Sequence, residues 1–242
     1  LKKEYWLILI IYIAMQLSGI VGIPLILFIG DSLGKDFQET AMMAPSLWII
    51  LSFSVTLIIT LWLLRNEKNA SLDRDKAPAG ASIAWAIAGI PLAFIAQSVA
   101  AQIEMMLGID MGSENTQQIM SLIETSAIVI LVVSIIGPIL EEIIFRKIIF
   151  GSLHKRLNFF LSALISSLIF SLAHGEIEHL ILYAAMGFTF AFLYVKTKRI
   201  LVPIFAHVVM NTTVVIIQLN IENLEKWLKE METVQMIVRG LL

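Results

Sequence analysis

"GPILEEIIFRK", residues 137–147, places two adjacent glutamates and an arginine inside a run that is otherwise apolar. Carboxylates in such a setting are costly unless they are paired, wet or engaged in chemistry. Glu142 and Arg146 stand four apart and share one helix face, whereas Glu141 is rotated about 100° from its neighbour and faces elsewhere. Pro138 lies just ahead. Its ring disturbs the helical bond to the carbonyl of Ser134, so the sequence predicts a kink and one freed carbonyl, which a membrane tolerates only where protein or water satisfies it.

The setting of that stretch is a chain of 242 residues, 58% hydrophobic and only 15% charged, with a mean hydropathy of +0.88. Ordinary soluble domains are about 45–50% apolar. The charges are clustered and leave long stretches with none. That pattern predicts an all-α fold: a polytopic transmembrane helical bundle of 7–8 helices, forming one integral membrane domain over residues 1–242. A net charge of −2 offers no basic surface to nucleic acid, so the expected partners are the lipid bilayer and a peptide or protein substrate. The absence of cysteine excludes disulfides, thiolate catalysis and Cys-ligated metals.

Candidate spans cover residues 5–30, 44–64, 80–106, 121–145, 159–174, 179–195 and 200–218. The basic start and first apolar run read as a span, because the run is much longer than a signal-peptide core of about 7–15 residues. Residues 219–242 read as an amphipathic surface helix, with an eighth span as the other reading. Alternating the spans from a cytoplasmic N-terminus puts 13 of the 17 Lys and Arg residues on the inner side. This is the bias expected of a multi-pass cell-membrane protein in that orientation.

Two further polar signatures interrupt the spans between about residues 121 and 215. Phe170-Ser171-Leu172-Ala173-His174 closes one span, on a helix where small residues form two adjacent stripes that permit close packing. Glu141 lies about 16 residues before the turn near Leu157-Asn158 and His174 about 17 after it, so an antiparallel hairpin brings them level. His207 and Asn211 share one face of the last span, and Pro203 is expected to kink it. His207 stands only about 12 Å from its own inner loop. It meets Glu141 if segment 146–156 projects beyond the membrane on the cytoplasmic side.

Each signature has a plainer reading. Glu142 with Arg146 could be an interfacial ion pair, His174 a helix-end histidine, and His207 with Asn211 interhelical glue. Together, two carboxylates, two imidazoles and an amide on three neighbouring helices make a water-activating site. The other polar residues are expected to be unremarkable. His179 and the loop glutamates of "HGEIEH" read as solvated, His154 as solvent-facing, and Glu104 with Gln102 as an interfacial helix end. Trp6, Trp48 and Trp62 read as an interfacial belt.

The ordered set EExxxR, FxxxH and HxxxN resembles the CPBP (Abi) family of intramembrane proteases, which includes the CAAX prenyl endopeptidases and bacterial members tied to bacteriocin processing or immunity. The resemblance covers about residues 121–215, and every motif position is matched: Glu141, Glu142, Arg146, Phe170, His174, His207 and Asn211. It implies an endopeptidase in which Glu141 and His174 activate water, His207 and Asn211 stabilise the oxyanion, and Glu142 with Arg146 orients the site. Two readings of the cofactor stand. One needs no metal; the other uses Glu141, His174 and His207 as zinc ligands. Outside the resemblance, the same residues suit a proton- or cation-coupled transporter, or a non-catalytic immunity or chaperone factor of the same fold.

Overall fold

The computed structural model describes residues 1–67, 76–110, 112–224, 226, 227, 229 and 231. Regular structure among them is helical throughout. In chain order the helices are α1 (Lys3–Leu17), α2 (Gly19–Ser32), α3 (Phe37–Leu64), α4 (Ala79–Met106), α5 (Glu114–Thr125), α6 (129–153), α7 (Phe159–His174), α8 (Leu180–Thr197) and α9 (Leu201–Leu219). The protein is an all-α membrane bundle. Helices fit because lipid offers no partner for a backbone amide, so each span must satisfy its own.

Four of these helices are individually long and apolar enough to cross a membrane: α3, α4, α8 (counted with its short lead-in, Ile177–Thr197) and α9. The first expected span is instead two helices, α1 and α2, meeting at 53°. At the bend, Ser18 Oγ donates to Met15 O at 2.7 Å and accepts from Trp48 Nε1 at 2.9 Å. The Trp48 ring lies flat against Gly22, where a Cβ would stand 1.9 Å from it. Trp48 is therefore a packing residue of the bend, whereas Trp6 and Trp62 are exposed.

The span expected at 121–145 divides differently. Polar residues Glu114, Asn115, Gln117, Gln118, Ser121 and Glu124 make α5 a separate amphipathic helix, capped by Ser113 Oγ, which accepts from Thr116 N at 2.9 Å. The chain then turns and α6 begins at Val129. Pro203 does not kink α9. It sits in the first turn, where a missing N–H costs nothing. Within residues 219–242, positions 221–224 are helical; the choice between surface helix and eighth span falls mainly on positions outside the described residues.

Asn158 caps α7 by accepting from Leu161 N, and Gly175, at φ +75°, ends it. The core joins α1 to α6 and α7 through Ile8, Leu140, Ile144, Phe145, Ile148 and Phe170. On α8, Gly187 lets α7 approach so closely that a Cβ would lie 2.0 Å from Ser167 Oγ and 3.1 Å from Ser167 Cα. Phe150 packs on Tyr194, with ring centroids 6.4 Å apart. Beyond these two residues α6 and α8 each run on for three more positions, 151–153 and 195–197, before the chain turns.

A polar clamp closes that end of the bundle. Glu67 accepts from Lys2 Nζ at 2.9 Å, pairs with Lys147 Nζ at 2.7 Å and accepts from the Tyr5 hydroxyl. Burial alone would raise its carboxyl, but the hydrogen bonds from Lys147, Tyr5 and Lys2 outweigh it and hold the pKa at about 2.

Gly187→Ala forces α7 and α8 apart and should cost about 1–3 kcal/mol, read as a lower unfolding temperature in detergent. The Glu67 clamp is fully formed above the ordinary glutamate value of about 4.3 and fades as pH falls towards the folded value. Glu67→Gln should therefore lower the unfolding temperature at neutral pH and flatten its decline between about pH 5 and pH 3.

Candidate active site

Helix α6 owes its shape to two wide turns. Val132–Ile136 and Glu142–Phe150 adopt π geometry, separated by an α-helical turn at Gly137–Glu141. Gly137 N reaches back five residues to Val132 O. In that register Pro138, which has no N–H, faces the carbonyl of Val133 and not that of Ser134. Asn211 Nδ2 supplies the missing donor to Val133 O at 3.3 Å. The second wide turn carries Glu142 and Arg146. Such turns recur at functional sites because they re-aim side chains without breaking the helix.

Glu142 and Arg146 are fully buried, their charges 3.3 Å apart from Oε2 to Nε. The guanidinium lies over Phe170 at 4.7 Å and Phe190 at 5.6 Å. Its two terminal nitrogens have no hydrogen-bond partner among the described residues, so the aromatic faces and Glu142 carry its charge. Arg146 is thus an interior cation, not one of the inner-surface charges. The second Glu142 oxygen accepts from His207 Nδ1 at 2.9 Å, and the His207 ring stacks on Phe190 at 4.6 Å.

Because Nδ1 is spent on Glu142, His207 turns Nε2 towards Glu141 Oε2, 3.7 Å away. On the other side His174 does the same. Its Nδ1 donates to Phe170 O at 2.8 Å, and its Nε2 lies 4.0 Å from Glu141 Oε1. Glu141 therefore stands between two imidazole nitrogens, with its side chain 16% exposed. It lies in the wall of an open cavity of about 1580 Å³ that Tyr12, His174, Tyr183, His207 and Asn211 also line. The structure brings all seven motif residues to one centre, with Phe170 as the aromatic floor between Arg146 and His174.

The residues expected to be solvated form a second network beside it. Glu104, Glu176 and His179 are buried. His179 Nδ1 bonds Glu104 Oε2 and its Nε2 bonds Gly112 O, each at 2.9 Å. Both partners are acceptors, so the geometry calls for a proton on each nitrogen. Glu104 also accepts from Leu182 N at 2.9 Å, which fixes the start of α8. Glu176 accepts from Ser113 Oγ, Asn115 N and the Tyr183 hydroxyl. Of the loop glutamates Glu178 alone is exposed, and Gln102 is exposed as expected. His154 is not solvent-facing; it is half-buried and stacks on Phe150 at 5.1 Å.

Glu141, His174 and His207 are the residues that would supply a zinc set. Zinc with ligand atoms at about 2.0–2.2 Å in a tetrahedron holds them about 3.3–3.6 Å apart, slightly inside the 3.7 and 4.0 Å from Glu141 to the two imidazoles. Among the described residues no three His, Asp or Glu side chains are placed to bind a metal ion. Sequence reading missed Tyr183 and Phe190. The available signal was the face Tyr183, Gly187, Phe190, Tyr194 on α8, a 4-3-4 spacing of aromatics around one small residue.

A family model described as type II CAAX prenyl endopeptidase Rce1-like matches residues 123–213, a window that contains all seven motif residues. The chain is 48% identical over 244 residues to YdiL of Bacillus subtilis (strain 168), named as a membrane peptidase; the match covers 100% of this chain and 99% of that one. It is 35% identical over 231 residues to MroQ of Staphylococcus aureus (strain USA300), named as a membrane-embedded CAAX protease, covering 91% of each. No solved structure matches the chain.

Removing Glu142 strands a buried guanidinium. Glu142→Ala should cost about 3–5 kcal/mol of stability. The double variant Glu142→Ala/Arg146→Met should recover part of that loss, giving a non-additive cycle in thermal or denaturant unfolding.

Proposed function

The chain belongs to the Rce1-like CAAX prenyl endopeptidase family of CPBP membrane peptidases, and from that premise we propose that Glu141 and His174 activate a water for attack on a peptide carbonyl within the bilayer. The observation that carries this reading is the position of the Glu141 carboxylate, with one oxygen towards Nε2 of His174 and the other towards Nε2 of His207. At 4.0 and 3.7 Å these pairs are too far apart for direct hydrogen bonds, yet one water can touch both members of either pair.

In this mechanism the Glu141–His174 pair takes a proton from water as its oxygen bonds to the carbonyl carbon. The carbonyl π electrons move to oxygen, giving a tetrahedral oxyanion. Protonated His207 and the second N–H of the Asn211 amide donate to that oxygen; the first N–H is held by Val133 O. The captured proton then passes to the leaving nitrogen as the C–N bond breaks. Glu142 fixes the His207 ring through Nδ1, while Arg146 lies against the other Glu142 oxygen and holds that carboxyl in place. Phe170 orients His174 through its carbonyl.

Direct water attack by these residues uses no metal. The Lys and Arg bias supports a cytoplasmic N-terminus. In that orientation the cavity opens towards the opposite face, where α5 and residues 219–223 line its rim. We take the chain as one integral membrane domain whose catalytic core is α6 to α9.

Glu141→Ala and Glu141→Gln should lower cleavage of an internally quenched peptide library about 10²–10⁴-fold while the protein elutes and unfolds as wild type does. A strong chelator should leave wild-type cleavage unchanged. Activity lost to the chelator and restored by zinc would reject the metal-free mechanism, and full activity in Glu141→Gln would reject the role of Glu141.

A further inference from the structure

We infer that Tyr183 and Glu176 are positioning residues for the imidazole of His174, forming a brace that ties the end of α7 to the start of α5. The inference rests on the catalytic reading of His174 and adds the device that aims it. His174 is the last residue of its helix, and the chain leaves it through Gly175 in the left-handed region, at φ +75°. A side chain at a helix end has few neighbours from its own helix. One hydrogen bond, Nδ1–H to Phe170 O, leaves the ring free to tilt about that contact.

Tyr183 removes that freedom. Its ring lies on His174 with centroids 4.4 Å apart and planes 30° from parallel, while Phe170 closes the other side at 4.4 Å and 63°. The Tyr183 hydroxyl is itself tethered, donating to Glu176 Oε2 at 2.6 Å. Glu176 stands two residues past His174, so ring, tether and backbone close a small loop around the imidazole. The carboxylate is in turn fixed by Ser113 Oγ and Asn115 N, each at 3.0 Å. These three donors hold Glu176 ionised below the ordinary carboxylate range although burial opposes it.

The contrast with Glu178 bears on the argument. It lies in the same short connection, is exposed, and makes none of these bonds. Burial of Glu176 is therefore specific, and its bonds run in two directions: through Tyr183 to His174, and to the N-terminus of α5 on the cavity rim. The His179–Glu104 pair anchors the same segment from the α4 side. With the brace in place, Nε2 of His174 is presented to Glu141 and Nδ1 keeps its proton.

The test uses full-length protein in detergent with ¹⁵N-labelled histidine, comparing wild type with Tyr183→Phe, Glu176→Gln and Tyr183→Leu. His174 signals are assigned with a His174→Gln control among the four histidines. Wild type should show a single Nδ1–H form of His174. Tyr183→Phe keeps the ring but loses the tether, and Glu176→Gln weakens it. Each should lower kcat about 10- to 100-fold at unchanged KM on the best-cleaved library peptide and add a second tautomer or ring orientation for His174. Tyr183→Leu, which removes the stack as well, should do both more strongly. A His174 signal identical to wild type in Tyr183→Phe and Glu176→Gln would overturn the brace. If wild type cleaves no peptide, the catalytic reading fails while the nitrogen signals still decide whether the brace exists.

Discussion

A guanidinium shut away from the surface is the constraint from which the rest of this bundle follows. Arg146 is enclosed by Glu142 and by the faces of Phe170 and Phe190, and each of these comes from a different part of the fold. Desolvating such a charge costs several kcal/mol even after relaxation, so none of its neighbours can drift without penalty. The cation thus fixes α6 against α7 and α8. It also fixes the place of Glu142, whose Oε2 lies against the guanidinium while Oε1 accepts from His207.

From that fixed carboxylate the geometry propagates outward. His207, with Nδ1 committed, can only present Nε2, and its ring is held flat on Phe190. Glu141, one residue along and turned to a different direction, receives that nitrogen on one side and His174 on the other. The buried pair and the cavity-facing carboxylate have different tasks because they have different surroundings, although they are neighbours in sequence. One is neutralised and immobile; the other is partly wet and in contact with the space where a peptide would lie.

Much of this was legible in the amino-acid sequence because membrane burial makes polar residues conspicuous. Glu142 with Arg146, and His207 with Asn211, each recur at four-residue spacing on an apolar helix, and hairpin arithmetic alone levels Glu141 with His174. What escaped reading did so for identifiable reasons. Glu104, Glu176 and His179 lie near helix ends, where a charged residue is ordinarily wet; only tertiary contact between α4, residues 112–115 and the start of α8 buries them. Tyr183 and Phe190 sit among other apolar residues, so their aromatic face on α8 marks a packing surface without showing that it meets imidazoles and a guanidinium. Trp48 matched the interfacial pattern by position, but Gly22 offers it a notch that depth counting cannot reveal. The division of α5 from α6 was hidden because Ile119, Met120, Leu122 and Ile123 of α5 continue the hydropathy of the next helix.

The widened turns of α6 make spacing as binding as residue identity. Each π segment spends more residues than an α-helix would need for the same angular travel, and that surplus sets how the two glutamates and the arginine are phased. Deleting any single position from 142 to 150 would let the segment relax into ordinary winding and swing everything beyond it around the axis. Relatives that keep this geometry should accordingly tolerate exchange of apolar side chains here far more readily than any gain or loss of length.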